Sequence, residues 1–113
     1  MKQITAIIRP HRLEDVERAL HALTHLPGFT IQASRGHARG HGAGQSFTSD
    51  EWNPDAHDRL MLIMFCRDDH AAELVDAICQ AAHTGNPGDG MVAVSDLTEL
   101  VRIRTSERGD AAT

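Results

Sequence analysis

The feature that most constrains the fold is an unbroken run of seven apolar residues, Leu60–Cys66. A run of this length is typical of a central strand that is buried on both faces of a sheet. Apolar and polar residues alternate with a period of two at 3–8 and again at 29–34, which predicts two earlier strands. A short apolar segment at 91–94 predicts a fourth strand, and 97–104 carries a further short extended element.

Two amphipathic helices are predicted between these strands. Apolar residues fall at helical spacing from Leu13 to Leu23, and Pro27-Gly28 ends the first helix. The same spacing recurs from Leu74 to Ala82 and predicts a second helix that ends at Gly85, with Asp68 and Asp69 as candidate N-caps before it. The element order is therefore β-α-β, a long gap, and again β-α-β.

The gap runs from Gly36 to about Asp58 and has no hydrophobic period. A loop of this length inside a small domain is uncommon and is usually functional. The chain after Ser106 is polar, and we expect it to fray.

This order predicts a single α+β domain with a ferredoxin-like βαββαβ fold, in which two helices cover one face of a four-stranded antiparallel sheet. The long loop lies between strands 2 and 3. A chain of 113 residues has the length of a typical single domain. The face of the sheet that the helices leave uncovered must be buried against another surface, and self-association of the chain is the simplest explanation.

Composition excludes several classes of function. The net charge of −5, with three Phe, one Trp and no Tyr, argues against a nucleic-acid surface and against base-stacking platforms. Cys66 and Cys79 lie inside apolar runs, so we interpret them as buried thiols in a reducing compartment. Lys2 and Gln3 lead straight into a strand, and no apolar stretch approaches membrane-spanning length. We therefore expect a cytoplasmic protein that is not embedded in a membrane.

The segment 84–91, Thr-Gly-Asn-Pro-Gly-Asp-Gly-Met, is rich in glycine and could bind an anion. Glycines allow positive φ, and successive backbone N–H groups in such a turn can surround an anion. A plain turn after a helix, with Gly85 as its left-handed residue, explains the same sequence. Arg102 and Arg104 favour the anion site, provided that the fold brings them to the turn. Asp89 has no nucleophile beside it, so we interpret it as a turn-forming or ligand-orienting group.

The loop also carries candidate ligands and a candidate contact residue. His37 and His41 have a spacing of four, which brings metal ligands together only on a helix. A convincing third ligand is missing, so we predict no metal site and interpret these histidines as solvated. Trp is a favoured anchor of protein interfaces, so we predict that Trp52 in this loop contacts a partner protein.

Four segments resemble the PII signal-transduction family, and the resemblance covers essentially the whole chain. They are Ile-Thr-Ala-Ile-Ile-Arg-Pro at 4–10, the residues 36–39, Ala-His-Thr-Gly-Asn-Pro-Gly-Asp-Gly at 82–90, and Val-Arg-Ile-Arg-Thr at 101–105. The resemblance implies a homotrimeric sensor without enzymatic activity, with nucleotide sites in the clefts between subunits. It also implies that the loop at about 37–58 is an output arm that reaches a channel, transporter or enzyme.

The resemblance also implies roles for single residues. The family's B-loop corresponds to 84–90, and its C-terminal arginine segment corresponds to 101–105. Arg39 matches a phosphate-contacting arginine, and Arg59 stands where the family usually has a lysine. The implied nucleotide-binding set is Gly36, Arg39, Arg59, Thr84, Gly88, Asp89, Gly90, Met91, Arg102 and Arg104.

Departures from the family pattern refine these expectations. Met91 replaces a phosphate-binding lysine, which predicts that ADP or AMP is favoured over ATP. Gly40 replaces a glutamine that helps to hold 2-oxoglutarate in the family, so sensing of that ligand is not expected. His37, Arg39, Gly40 and His41 instead suggest a small anion such as bicarbonate as co-ligand.

These departures favour a divergent PII-like branch that regulates a transporter or another protein of inorganic-carbon metabolism through the loop. Two alternatives stay open: a metal-responsive PII-like module linked to heavy-metal efflux, and a nitrogen-regulatory PII protein. A small enzyme on the same scaffold has only the fold in its favour, and fold alone is a poor guide to activity.

Overall fold

The computed structural model describes residues 1–37 and 56–113. Four strands and two helices follow one another in the predicted order. In chain order they are Lys2–Ile8 (β1), Leu13–His21 (α1), Phe29–His37 (β2), Ala56–Cys66 (β3), Ala71–Ala82 (α2) and Gly90–Asp96 (β4). Short 3₁₀ turns precede each helix, and a third 3₁₀ turn lies near the C-terminus.

The strands form one sheet in the order β2-β3-β1-β4, and every neighbouring pair is antiparallel. This confirms the α+β ferredoxin-like prediction. The register defines two ends of the sheet. Ile8 lies opposite Leu60 and Gly90, and we call this the turn end. Lys2 lies opposite Cys66 and Asp96, and we call this the C-terminal end.

The core lies between the helices and one face of the sheet. Alternate residues of the two central strands are fully buried there and pack against both helices; they include Ile4 and Ala6 of β1 and Leu62 and Met64 of β3. Burial of each large side chain contributes about 1.5–3 kcal/mol, which explains the period-2 pattern that predicted β1. No helix in the described ranges is long and apolar enough to cross a membrane.

The apolar run in β3 is buried on one face only. Leu62 and Met64 are completely buried, but Ile63 is half-buried and Phe65 is 38% exposed on the opposite face. The prediction of burial on both faces is therefore wrong for the single chain. The two cysteines also differ in exposure: Cys66 is buried as predicted, whereas Cys79 of α2 is exposed, contrary to the prediction.

The strands beside the long loop extend further than predicted. β2 continues to His37 and β3 begins at Ala56, with Gly36 opposite His57 and His37 opposite Ala56. The predicted loop bounds at 36–58 are therefore wrong at both ends. The reason is that backbone hydrogen bonds continue the ladder beyond the core, where no apolar alternation marks the strand.

The predicted helix boundaries also need correction. α1 ends at His21, before Leu23, and α2 ends at Ala82. Asp68 and Asp69 are not N-caps, because α2 begins only at Ala71 and neither carboxylate caps it. Asp68 instead accepts a hydrogen bond of 2.6 Å from the N-terminal amine, which lowers the pKa of Asp68 and raises that of the amine.

The C-terminal segment is ordered, but it is not a strand. A single bridge between Val101 and Arg108 closes a tight hairpin, in which Arg102 N–H donates to the Glu107 carbonyl at 2.9 Å. The chain then forms a 3₁₀ turn at Gly109–Ala112, and Ala112 is only 6% exposed. The predictions of an extended element at 97–104 and of a frayed tail are therefore wrong, since one buried alanine and the hairpin bonds hold the segment.

Candidate anion-binding site at the glycine turn

The turn between α2 and β4 contains three glycines with positive φ: Gly85 at 89°, Gly88 at 92° and Gly90 at 107°. Gly85 has the predicted positive φ, but it does not cap the helix, because α2 ends three residues earlier. A Cβ on Gly90 would lie 1.8 Å from the carbonyl oxygen of Ile7. Only glycine therefore allows β4 to start against β1 at this point.

Asp89 organises the turn from inside. Its carboxylate accepts hydrogen bonds from the backbone N–H of Thr84 at 2.8 Å and of Gly85 at 2.9 Å, from the Thr84 hydroxyl, and from Arg9 Nε at 3.1 Å. These bonds, that of the Thr84 hydroxyl first, hold the pKa of Asp89 far below its usual range. Four donors occupy the acceptor sites of one carboxylate, so Asp89 shapes the turn.

Two guanidinium groups hold the turn from outside. Arg9 Nη2 donates to the Pro87 carbonyl at 2.5 Å, and Arg59 Nη2 donates to the Gly88 carbonyl at 3.0 Å. A Cβ on Gly88 would lie 3.0 Å from Arg59 and 3.3 Å from Arg9. Two positive charges therefore flank a side-chain-free stretch of backbone, with one carboxylate, Asp89, close by.

Beside the turn lies a hollow of about 540 Å³, which is within the range of small-molecule sites. It opens between the turn and the adjoining ends of β2 and β3. Its lining consists of Ile7, Gly36, His37, Arg59, Asn86, Gly88, Asp89, Gly90 and Met91. The apolar side chains and the basic, glycine-rich side of the hollow suit a ligand with one apolar part and one anionic part.

Most of the residues that the sequence indicated meet at the turn end. Gly36, Arg59, Gly88, Gly90 and Met91 all line the hollow, together with Asp89 and His37. Thr84 lies behind them and hydrogen-bonds to Asp89. The positions Arg39, Gly40, His41 and Trp52 lie outside the described residues.

The C-terminal arginines lie elsewhere in the chain. Leu97 N–H donates to the Met1 carbonyl, which places the segment after β4 at the C-terminal end, and Arg102 Nη2 donates to the Ala112 carbonyl at 3.0 Å. The seven residues of β4 separate this end from the turn by about 20 Å. Arg102 and the turn therefore do not converge within one chain, and Arg104 belongs to the same hairpin.

Arg9 is the site residue that sequence reasoning missed. Its position before Pro10 marks it only as the residue that follows β1. Its relation to the turn depends on the register that sets Ile8 opposite Gly90, and the sequence does not display that register. Within the described ranges, no three His, Cys, Asp or Glu side chains are grouped to hold a metal ion.

The fold and the site together define a small ferredoxin-like binding domain with a basic glycine turn at one end of its sheet. Comparison with known proteins identifies the family. The family model for nitrogen regulatory protein P-II matches residues 1–107, and the chain belongs to this family. P-II proteins are signal transducers without enzymatic activity, and this chain is therefore not an enzyme.

Named relatives span nearly the whole chain. The nitrogen regulatory protein P-II of Azospirillum brasilense is 37% identical over 112 residues, covering 99% of both chains. The nitrogen regulatory protein GlnK of Escherichia coli K12 is 34% identical over 112 residues with the same coverage. Nitrogen regulatory protein P-II 2 of Methanothermobacter thermautotrophicus is 37% identical over 112 residues, covering 99% of this chain and 96% of the relative. These names point to nitrogen regulation and give no support to the inorganic-carbon role that the sequence suggested.

Proposed function

We propose that this chain is a nitrogen-regulatory signalling protein that binds an adenine nucleotide at the turn end. The observation that carries the proposal is the hollow beside the glycine turn, where the guanidinium group of Arg59 lies against the bare backbone at Gly88. A positive charge beside a turn of glycines without side chains suits phosphate oxygens. The names of the relatives support the nitrogen-regulatory role.

The lining of the hollow favours a nucleotide with few phosphates. Arg59 is the described cation that lines the hollow together with Gly88, and Met91, which is 77% exposed, lines the same wall. A thioether carries no charge and cannot neutralise the terminal phosphate of a triphosphate. ADP or AMP should therefore bind more tightly than ATP, and no cofactor is required.

The site is completed by a second copy of the chain. Arg102 and Arg104 lie about 20 Å from the turn in their own chain, so they reach a nucleotide only across a subunit boundary. The hairpin that bears them also carries Ile103, which is 97% exposed, and the helix-free sheet face exposes Phe65. Burial of such apolar surface is a driving force for assembly, and a homotrimer of the family type satisfies all three features.

The segment 38–55 acts as the output arm. It joins β2 to β3, whose ends contribute Gly36, His37 and Arg59 to the hollow. Occupancy of the hollow therefore acts directly on the base of the arm, which then meets a partner protein through Trp52. A small anion, bicarbonate or 2-oxoglutarate, held near His37, Arg39, Gly40 and His41 is a testable co-ligand.

Isothermal titration of the whole chain with ADP, AMP and ATP tests this function. We expect binding of all three, with ATP weakest, and Met91→Lys should raise the affinity for ATP selectively. Arg59→Gln should weaken ADP binding by about tenfold or more, because a charge-assisted contact is lost. The matched control is Arg35→Gln, which changes a 60% exposed arginine on the neighbouring strand. Absence of heat with every nucleotide, or equal losses in the two variants, would overturn the proposal.

Parallel titrations with 2-oxoglutarate and with bicarbonate, each in the presence of nucleotide, decide between the two co-ligands. Enhancement by 2-oxoglutarate would show that Gly40 does not prevent the sensing of that ligand. Enhancement by bicarbonate alone would contradict the nitrogen-regulatory part of the proposal.

A further inference from the structure

Arg9 fastens the glycine turn at two points. Its Nε lies 3.1 Å from a carboxylate oxygen of Asp89, and its Nη2 lies 2.5 Å from the carbonyl oxygen of Pro87. The arginine follows β1 directly and lies about 80 positions before the turn in sequence. The two bonds therefore connect the turn to the rigid sheet and not merely to itself.

We propose that Arg9 is a positioning residue that holds the turn in its binding conformation without touching the ligand. The inference rests on the proposed function only for what the turn binds; the fastening itself is a property of the free protein. Arg59, which lines the hollow, has the complementary role of facing the ligand.

The turn needs such a fastening because its own bonds do not tie it to the sheet. The contacts of Asp89 with Thr84 and Gly85 close a loop of six residues on itself. Three glycines give this segment many alternative conformations in the absence of outside contacts. Between the end of α2 and the start of β4, the described side chains that bond to the turn from the sheet are Arg9 and Arg59.

The location of Arg9 separates positioning from direct binding. Its side chain is 21% exposed, and it is not among the described residues that line the 540 Å³ hollow. Both of its bonded nitrogens face acceptors of the turn itself. Arg9 therefore acts on a ligand through Asp89 and the Pro87–Gly88 backbone.

The two-point geometry requires arginine and not only a positive charge. A guanidinium presents donors in a fixed planar fork, so one group can reach the carboxylate and the carbonyl together. A lysine has a single ammonium, and from this position it can satisfy one acceptor well. We therefore expect Arg9→Lys to behave more like Arg9→Gln than like the native chain.

Amide hydrogen exchange followed by NMR tests the proposal on the nucleotide-free protein. We expect the amides of Thr84 and Gly85 to exchange about tenfold faster in Arg9→Gln and in Arg9→Lys, with core amides of β1 unchanged. The control is Arg18→Gln, since Arg18 is 68% exposed and pairs only with Glu14 and Asp15 of its own helix in the described structure. This variant should leave both groups of amides as they are.

Titration of the same variants with ADP completes the test. A parallel loss of affinity and of turn protection supports positioning. Lost affinity with native protection would show that Arg9 contacts the ligand directly, and native protection with native affinity would show that it does neither; both results overturn the proposal.

A native-like Arg9→Lys would refute the two-point fork, and faster exchange of the β1 core amides would mean that Arg9 merely stabilises the fold. If the native chain binds no nucleotide, the proposed function fails, while the exchange data still decide the role of Arg9.

Discussion

The two ends of the sheet carry the same kinds of residue and use them differently. At the turn end, Arg9 and Arg59 are bonded to the backbone of a turn that borders a hollow. At the C-terminal end, Arg102 is bonded to the Ala112 carbonyl, and the tip of its hairpin leaves Ile103 97% exposed. The turn end thus has a hollow lined by glycine backbone and Arg59, whereas Arg102 and Arg104 do not line this hollow.

Under the proposed function, each end of one chain therefore contributes one half of a binding site. The two halves are about 20 Å apart, and the hydrogen bonds of the hairpin hold Arg102 at the C-terminal end. In the function proposed above, a second copy of the chain supplies the other half at each cleft. If this proposal is right, nucleotide binding depends on assembly.

We expect the two ends to differ most in how far the free energy of unfolding falls when a glycine is replaced by alanine. Gly90→Ala at the turn end would place Cβ 1.8 Å from the Ile7 carbonyl at a φ of +107°. We expect the free energy of unfolding to fall by about 3 kcal/mol or more, because strain and a backbone clash add together.

The matched control at the C-terminal end is Gly109→Ala. Gly109 also has a positive φ, +70°, but nothing lies within 4 Å of its would-be Cβ. Only the backbone strain applies there, so we expect a loss of about 1 kcal/mol. Urea denaturation of both variants gives the comparison, and equal losses would refute the close approach of β4 to β1.

A second contrast separates binding from folding. Arg104→Gln changes an exposed residue of the hairpin, so the free energy of unfolding should stay within about 0.5 kcal/mol of the native value. The affinity for ADP should nevertheless fall by about tenfold, because a phosphate loses a charged partner from the neighbouring subunit. Titration calorimetry and denaturation on one preparation measure both quantities. Unchanged affinity would remove Arg104 from the site.

A third and smaller contrast concerns pH. Hydrogen bonds from Thr84, Gly85 and Arg9 hold the pKa of Asp89 low in the folded chain, so ionised Asp89 stabilises the turn above its unfolded pKa of about 4. That contribution is lost as the pH falls further below this value. The stability difference between the native chain and Asp89→Asn should therefore be constant above about pH 5 and shrink toward pH 2.

Thermal melts across this range measure the difference, with Asp110→Asn at the other end of the sheet as control. A difference that does not change with pH would mean that Asp89 contributes through packing and not through its charge.

The sequence predicted the parts of this molecule that repeat or that carry a motif. Period-2 and helical patterns located β1 and both helices, because core burial imposes those periods. The glycine motif predicted the turn at Gly88 and Gly90. The turn needs glycine at these positions, because the backbone there has a positive φ and approaches a neighbouring strand closely. The extension of β2 to His37 was not predictable, because ladder bonds outside the core leave no side-chain pattern.

The rest of the site depends on relations between distant segments. Arg9 meets Asp89 only because β1 pairs with β4 in one particular register. The exposure of Cys79 depends on which side of α2 faces the sheet at its last turns. Arg102 is separated from the turn because β4 runs from the turn end to the C-terminal end of the sheet. No local sequence pattern indicates in which direction a strand runs.

In the proposed assembly, the glycine turn of one subunit and the arginine hairpin of another form each site. The most direct measurement is co-expression of two inactive variants with different tags, Gly88→Asp in the turn and Arg102→Ala/Arg104→Ala in the hairpin, followed by isolation of mixed oligomers. Neither variant alone should bind ADP. In each mixed trimer one of the three clefts joins a native turn to a native hairpin, so the isolated mixed oligomers should recover about a third of the native ADP sites at native affinity. Mixed oligomers that bind no ADP would contradict a site shared between subunits.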